Sequence, residues 1–251
     1  MRARVYNSSN LKLFSLHRHL LIQARHISNI MVSILMDYND PGEPFSPEEL
    51  MLEETERMAI ICLKHFKRQL KTIKITLVND QYSISKAIHL CKCPNITNLF
   101  FKLNFQETPN PLLIKILREN LPKLKKLVQF SLWTYSYKDA LKNLYDIIPQ
   151  FEFLHSLAIP LYLDKEEQAL SAMNLAQGLV KRKILALNLI LLGLEGVGLN
   201  FIEFFSNFPW LERFTLSVMR KLRPGKLNEL GRGLFRYQSL KELSIIDKPN
   251  Y

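Results

Sequence analysis

From residue 73 onward the chain repeats one arrangement: an apolar anchor, two residues, an apolar residue, one residue, a further apolar residue. The copies are Ile96-x-x-Leu99-x-Phe101, Leu127-x-x-Phe130-x-Leu132 and Leu154-x-x-Leu157-x-Ile159, then Ile184-x-x-Leu187-x-Leu189, Leu211-x-x-Phe214-x-Leu216 and Leu240-x-x-Leu243-x-Ile245. Ile73-Lys74-Ile75-Thr76-Leu77 supplies an earlier strand. Alternation with period 2 marks a strand with one face turned into a core. The central residues 99, 130, 157, 187, 214 and 243 stand 31, 27, 30, 27 and 29 apart. A period held over six copies predicts units that cannot bury their apolar faces alone and must stack.

A helical stretch separates each strand from the next, at about 109–121, 138–148, 165–180, 198–208 and 225–235. Pro94, Pro122, Pro149 and Pro209 precede four of the anchors by two or five residues. Proline there ends a helix and turns the chain to extended structure. The expected unit is strand plus helix, in six or seven copies.

Ahead of the repeats, Ser46-Pro47-Glu48-Glu49 reads as a helix start, with Ser as cap and Pro in the first turn. The helix is expected to run to about residue 70, with Leu52, Cys62, Leu63, Phe66 and Leu70 on its apolar face. Acids open it, and Lys64, Lys67, Arg68 and Lys71 close it, as the helix dipole favours. It would cap the first repeat.

Residues 1–36 hold Arg2, Arg4, Lys12, Arg18 and Arg25 and no acid. An amphipathic patch runs through Leu11, Leu13, Phe14 and Leu16, and Arg25-His26-Ile27-Ser28 resembles a matrix-protease site. These are features of a mitochondrial transit peptide; a basic arm gripping a partner is the competing reading. The expected organisation is a basic arm or transit-like segment at 1–36, an acidic linker and capping helix at 37–72, and a repeat region at 73–251.

The strand pattern resembles the leucine-rich-repeat family, in its ribonuclease-inhibitor-like subclass, over about residues 73–246. The resemblance implies an α/β solenoid, a horseshoe with a parallel β-sheet on the concave face, helices on the convex face and an N-terminal helical cap. The Asn or Cys that usually follows the strand is absent from most copies: Asn104 holds about that place once, with Trp133, Pro160 and Met219 near it elsewhere. That departure implies irregular curvature. A fold of this kind specifies little about function.

Composition adds limits. Hydrophobic residues make up 47%, enough for a continuous core. Of the net charge of +11, five units fall in residues 1–36, leaving six for the body. A surplus of that size suits RNA, anionic lipid head groups or an acidic protein equally. Cys62, Cys91 and Cys93 form no CxxC pair, so neither a disulfide framework nor a zinc site is expected. The apolar run 184–194 contains Asn188 and is too short to span a membrane.

The sequence offers no catalytic constellation. His17, His19, His26, His65, His89 and His155 are scattered, and HExxH, GxSxG and phosphate-loop motifs are missing. Gly193, Gly196 and Gly198 have turn spacing, and Glu166-Glu167 suits a helix start. No cofactor and no metal is expected.

Strand alternation puts the residues between the apolar positions on the concave face. Those expected to bind a partner are Phe100, Lys102, Gln129, Trp133, Asn188, Ile190 and Arg213, with Phe100 and Trp133 as anchors. Few are cationic, which speaks for a protein partner over nucleic acid. Cations gather on the rims instead. Lys123, Lys125, Lys126, Lys181, Arg182 and Lys183 occupy loops entering two strands, about 10 Å apart at two strand steps. Arg220, Lys221 and Arg223 lie at the opposite rim. RNA or cardiolipin phosphates would suit either rim, and so would solvent.

These readings converge on a non-catalytic scaffold, an accessory subunit of a large mitochondrial assembly such as a respiratory complex, the ATP synthase or the mitochondrial ribosome. The alternatives are a cytosolic adaptor, such as a ubiquitin-ligase substrate receptor, and an RNA-binding protein.

Overall fold

The computed structural model describes residues 30–33, 59–61, 63–65, 67–78, 81–103, 109–134, 144–163, 165–192, 198–218 and 224–247, with side chains at 30–33, 224, 227 and 247 left aside. Its strands form one parallel sheet in chain order. They are β1 (Ile30–Ser33), β2 (Leu70–Leu77), β3 (Asn98–Leu103), β4 (Gln129–Thr134), β5 (Ser156–Leu161), β6 (Ala186–Leu191), β7 (Arg213–Val218) and β8 (Glu242–Asp247). Helices α1 (Gln81–Leu90), α2 (Pro111–Asn120), α3 (Glu166–Leu179), α4 (Phe201–Ser206) and α5 (Pro224–Leu234) lie between them. Short 3-10 turns occupy Leu121–Lys123 and Ile148–Gln150. This is an α/β repeat built on a single parallel sheet.

Register follows the apolar motif without a slip. Ile73 stands opposite Leu99, Leu99 opposite Phe130, Phe130 opposite Leu157, Leu157 opposite Leu187, Leu187 opposite Phe214 and Phe214 opposite Leu243. Uneven repeat lengths are therefore absorbed in the connections. A one-residue shift would turn every apolar side chain to the opposite face.

Those rows and the buried faces of the helices make one continuous core. Aromatic rings knit its repeats: Phe130 lies 6.5 Å from Phe101 and 5.5 Å from Phe151, and Phe205 lies 5.1 Å edge-on to Phe214. Asn110 caps α2, its side chain accepting from the Leu112 amide, and Asn200 caps α4 through the Glu203 amide. Buried Tyr145 donates to the Pro160 carbonyl, and Tyr237 to that of Phe205, so both hydroxyls are satisfied inside the stack.

Several expectations change. The expected helix to residue 70 gives way to a turn at 67–69, and Leu70 opens β2 instead. Ala59 and Leu63 join the core ahead of β2. The sheet also reaches further back than residue 73, because Ile30–Ser33 pairs with β2. Helix α1 was not anticipated. It buries Ser83 and Lys86, which breaks the apolar periodicity; the Lys86 ammonium donates to the Thr76 carbonyl at 2.9 Å.

The last copy differs in burial. Leu243 and Ile245 hold motif positions expected in the core, yet each is 53% exposed. β8 pairs only with β7, and no further strand-plus-helix unit follows among the described residues to cover it. The segment 138–148 is described only from Leu144, and Cys62, Phe66, Asn104, Met219, Gly193 and Gly196 lie outside the described residues. Gly198 adopts φ 83°, a left-handed turn conformation that favours glycine.

Candidate interaction surfaces

Two surfaces present side chains in ordered rows. The first is the sheet face turned away from the core. Along β3, Asn98, Phe100 and Lys102 alternate with buried Leu99, Phe101 and Leu103. The Asn98 amide donates to the Gln129 side chain at 2.8 Å, and the Lys74 ammonium sits 5.2 Å over the Phe100 ring. Lys102 stands opposite Trp133, whose ring is 36% exposed. Phe100, Lys102, Gln129 and Trp133 thus share one patch, as their spacing implied, and Arg213 stands exposed further along.

Ile190 does not belong to that accessible set. It is 2% exposed and opposes buried Pro160, although it lies outside the core cluster. Strand alternation gives the face but not the burial on it. Ser131 is likewise buried. Asn188, the next residue on this face, carries a buried side-chain oxygen with no hydrogen-bond partner in the structure. An unpaired buried acceptor is costly.

The second surface is the leading rim, where the parallel strands begin. One residue before each strand, a carbonyl accepts from two successive amides of the next repeat. Thr97 serves Val128 and Gln129, Val128 serves His155 and Ser156, and His155 serves Leu185 and Ala186. Leu185 serves Glu212 and Arg213, and Glu212 serves Lys241 and Glu242. The rim is therefore fixed by the backbone.

Its side chains form a second row two residues earlier: Asn95, Lys126, Phe153, Lys183 and Trp210. Lys126 donates to the Asn95 side chain at 2.7 Å, and Lys183 lies 6.0 Å over the Trp210 ring. Phe153 and Trp210 are each 54% exposed. Lys126, Val128, Phe153, His155 and Leu185 line an open groove of about 590 Å³. Motif spacing did not reveal it, because its residues precede the strands.

Of the rim cations, Lys123, Lys125, Lys126, Lys181 and Lys183 are exposed. The Lys123 ammonium donates to the Asn120 side chain at 2.7 Å. Arg182 is committed elsewhere: its Nε and Nη2 donate to the Pro149 carbonyl at 3.1 and 2.9 Å. Its fork holds two repeats together, so it is withdrawn from the anion-binding set. Arg220, Lys221 and Arg223 lie outside the described residues.

Cysteine chemistry is subdued. Burial pushes the Cys91 and Cys93 thiols up to about 12. Cys93 is packed in the core, its thiol 3.4 Å from the His89 carbonyl oxygen. Both stay protonated at neutral pH, whereas a nucleophile needs the thiolate. Burial, then Lys64 and Lys92, lowers the pKa of His89. Among the described residues no three His, Cys, Asp or Glu side chains cluster as a metal would require. Nor is any described helix long and apolar enough to cross a membrane.

No family model matches the sequence, and no curated protein matches it.

Proposed function

We propose that the chain is a non-catalytic leucine-rich-repeat scaffold, its sheet curved as in the ribonuclease-inhibitor-like subclass, that binds other proteins within a large mitochondrial assembly. The observation that carries this reading is the register-locked sheet with two rows of outward side chains on rigid backbone. Preorganised surfaces lose little conformational entropy on association. Phe100 and Trp133 on the open face supply rigid aromatic contact. The mitochondrial part rests on the acid-free residues 1–36.

The test has two arms. Residues 1–30 fused to a fluorescent reporter should direct it to mitochondria; a cytosolic reporter favours the adaptor reading. Proximity labelling from the full chain should mark the subunits of one assembly, and diffuse labelling without a shared complex removes the accessory-subunit reading.

A further inference from the structure

We infer that the apolar groove on the leading rim receives one apolar side chain from an extended segment of a partner protein, and that acidic residues flanking it pair with Lys126 and Lys183. This deepens the scaffold reading and rests on it. Val128, Phe153 and Leu185 are apolar groove walls, and the Lys126 stem and His155 complete the lining. Exposed apolar concavities rimmed by charge are features of protein-binding sites.

Charge selects the flanking chemistry. The loops 121–128, 148–155 and 180–185 hold Lys123, Lys125, Lys126, Lys181, Arg182 and Lys183 against a single acid, Glu152. With Arg182 bound to Pro149, five lysines remain outward. Their carbon stems cover apolar surface while the ammonium groups stay in water.

Spacing sets the register. Lys126, Phe153 and Lys183 hold the same place in three successive repeats, so the two lysines are two strand steps apart, about 10 Å. An extended segment rises about 3.3 Å per residue and its side chains alternate between faces, so acids four positions apart, with the apolar residue midway, present all three side chains to the rim and reach both lysines through their flexible stems. An apolar residue between them falls over Phe153 and the groove. A nucleobase fits less well. It brings polar edges that would lie against Val128, Phe153 and Leu185, whose side chains offer no hydrogen bonds.

The experiment is panning of a random 12-residue phage-displayed peptide library on the folded full chain, with sequencing of the enriched pool. An apolar residue with Asp or Glu two positions away on either side is expected. The consensus peptide should bind at least tenfold more weakly to Phe153→Ala and to Lys126→Glu/Lys183→Glu, with thermal unfolding unchanged. The same peptide with its acids replaced by lysine should recover binding to the double charge variant. Enrichment that ignores these variants overturns the proposal, as does oligouridylate binding that depends on Phe153 while acidic peptides do not bind. If peptides fail but proximity labelling still marks an assembly, this groove alone is wrong. If both fail, the scaffold reading falls with it.

Discussion

Arg182 reaches back one repeat and places two guanidinium nitrogens, 3.1 and 2.9 Å away, on the carbonyl oxygen of Pro149. The same proline ring lies so close to α3 that a methyl group added at Gly178 would stand 2.7 Å from its Cγ. Pro149 is thus a junction held from both sides, where one repeat's turn meets the next repeat's helix.

A hydrogen bond from a charged donor contributes about 1.5–3 kcal/mol. Arg182→Ala should lower unfolding free energy by about that amount in urea titrations. Arg182→Lys should recover little, because a single ammonium cannot reproduce the fork. Lys181→Ala, at an exposed neighbour, should change stability by less than about 0.5 kcal/mol. Equal effects from all three would remove the latch.

The repeats are not equivalent, and one motif position shows it. Leu187 is buried at the centre of the sheet, while Leu243 holds the same place in β8 and is half exposed. Leu187→Ala should cost about 2–5 kcal/mol, the range for buried leucine. Leu243→Ala should cost under about 1 kcal/mol, since little burial is lost. Paired denaturation curves check the difference.

That contrast marks what periodicity can and cannot reveal. The rows through Leu99, Phe130, Leu157, Leu187 and Phe214 were legible because a strand's side chains alternate whatever the loop lengths. Exposure of Leu243 was not, because burial depends on what packs next to a strand. Ile190 failed for the same reason in the opposite sense. Helix α1 escaped because Ser83 and Lys86 occupy its buried face and break the apolar periodicity, with Lys86 satisfied by the Thr76 carbonyl. The rim row of Lys126, Phe153, Lys183 and Trp210 was present in the sequence, three residues before each strand. Aligning the copies beyond the apolar motif would have exposed it.

Stability should fall in alkali. Burial pushes the Cys91 and Cys93 thiols up to about 12 from their ordinary value near 9.0, and it raises the Tyr145 and Tyr237 hydroxyls above theirs. Raised acids keep their protons in the folded state after the unfolded chain has lost them. Their contribution is therefore complete below about pH 9 and declines as pH rises towards 12. Thermal midpoints should be flat from pH 7 to 8.5 and drop above it. A Cys91→Ala/Cys93→Ala chain should show a shallower drop between pH 9 and 10. An identical profile would mean the thiols are not buried as described.

If the sheet binds protein through its open face, Trp133 carries much of that contact. Affinity of the purified chain for the subunit that proximity labelling marks should be measured for wild type and for Trp133→Ala, alongside thermal unfolding. Loss of a rigid aromatic anchor should weaken binding by about 2 kcal/mol, roughly thirtyfold, with the chain still folded at the assay temperature although its unfolding midpoint falls. Full affinity in Trp133→Ala, with the fold intact, would contradict the account.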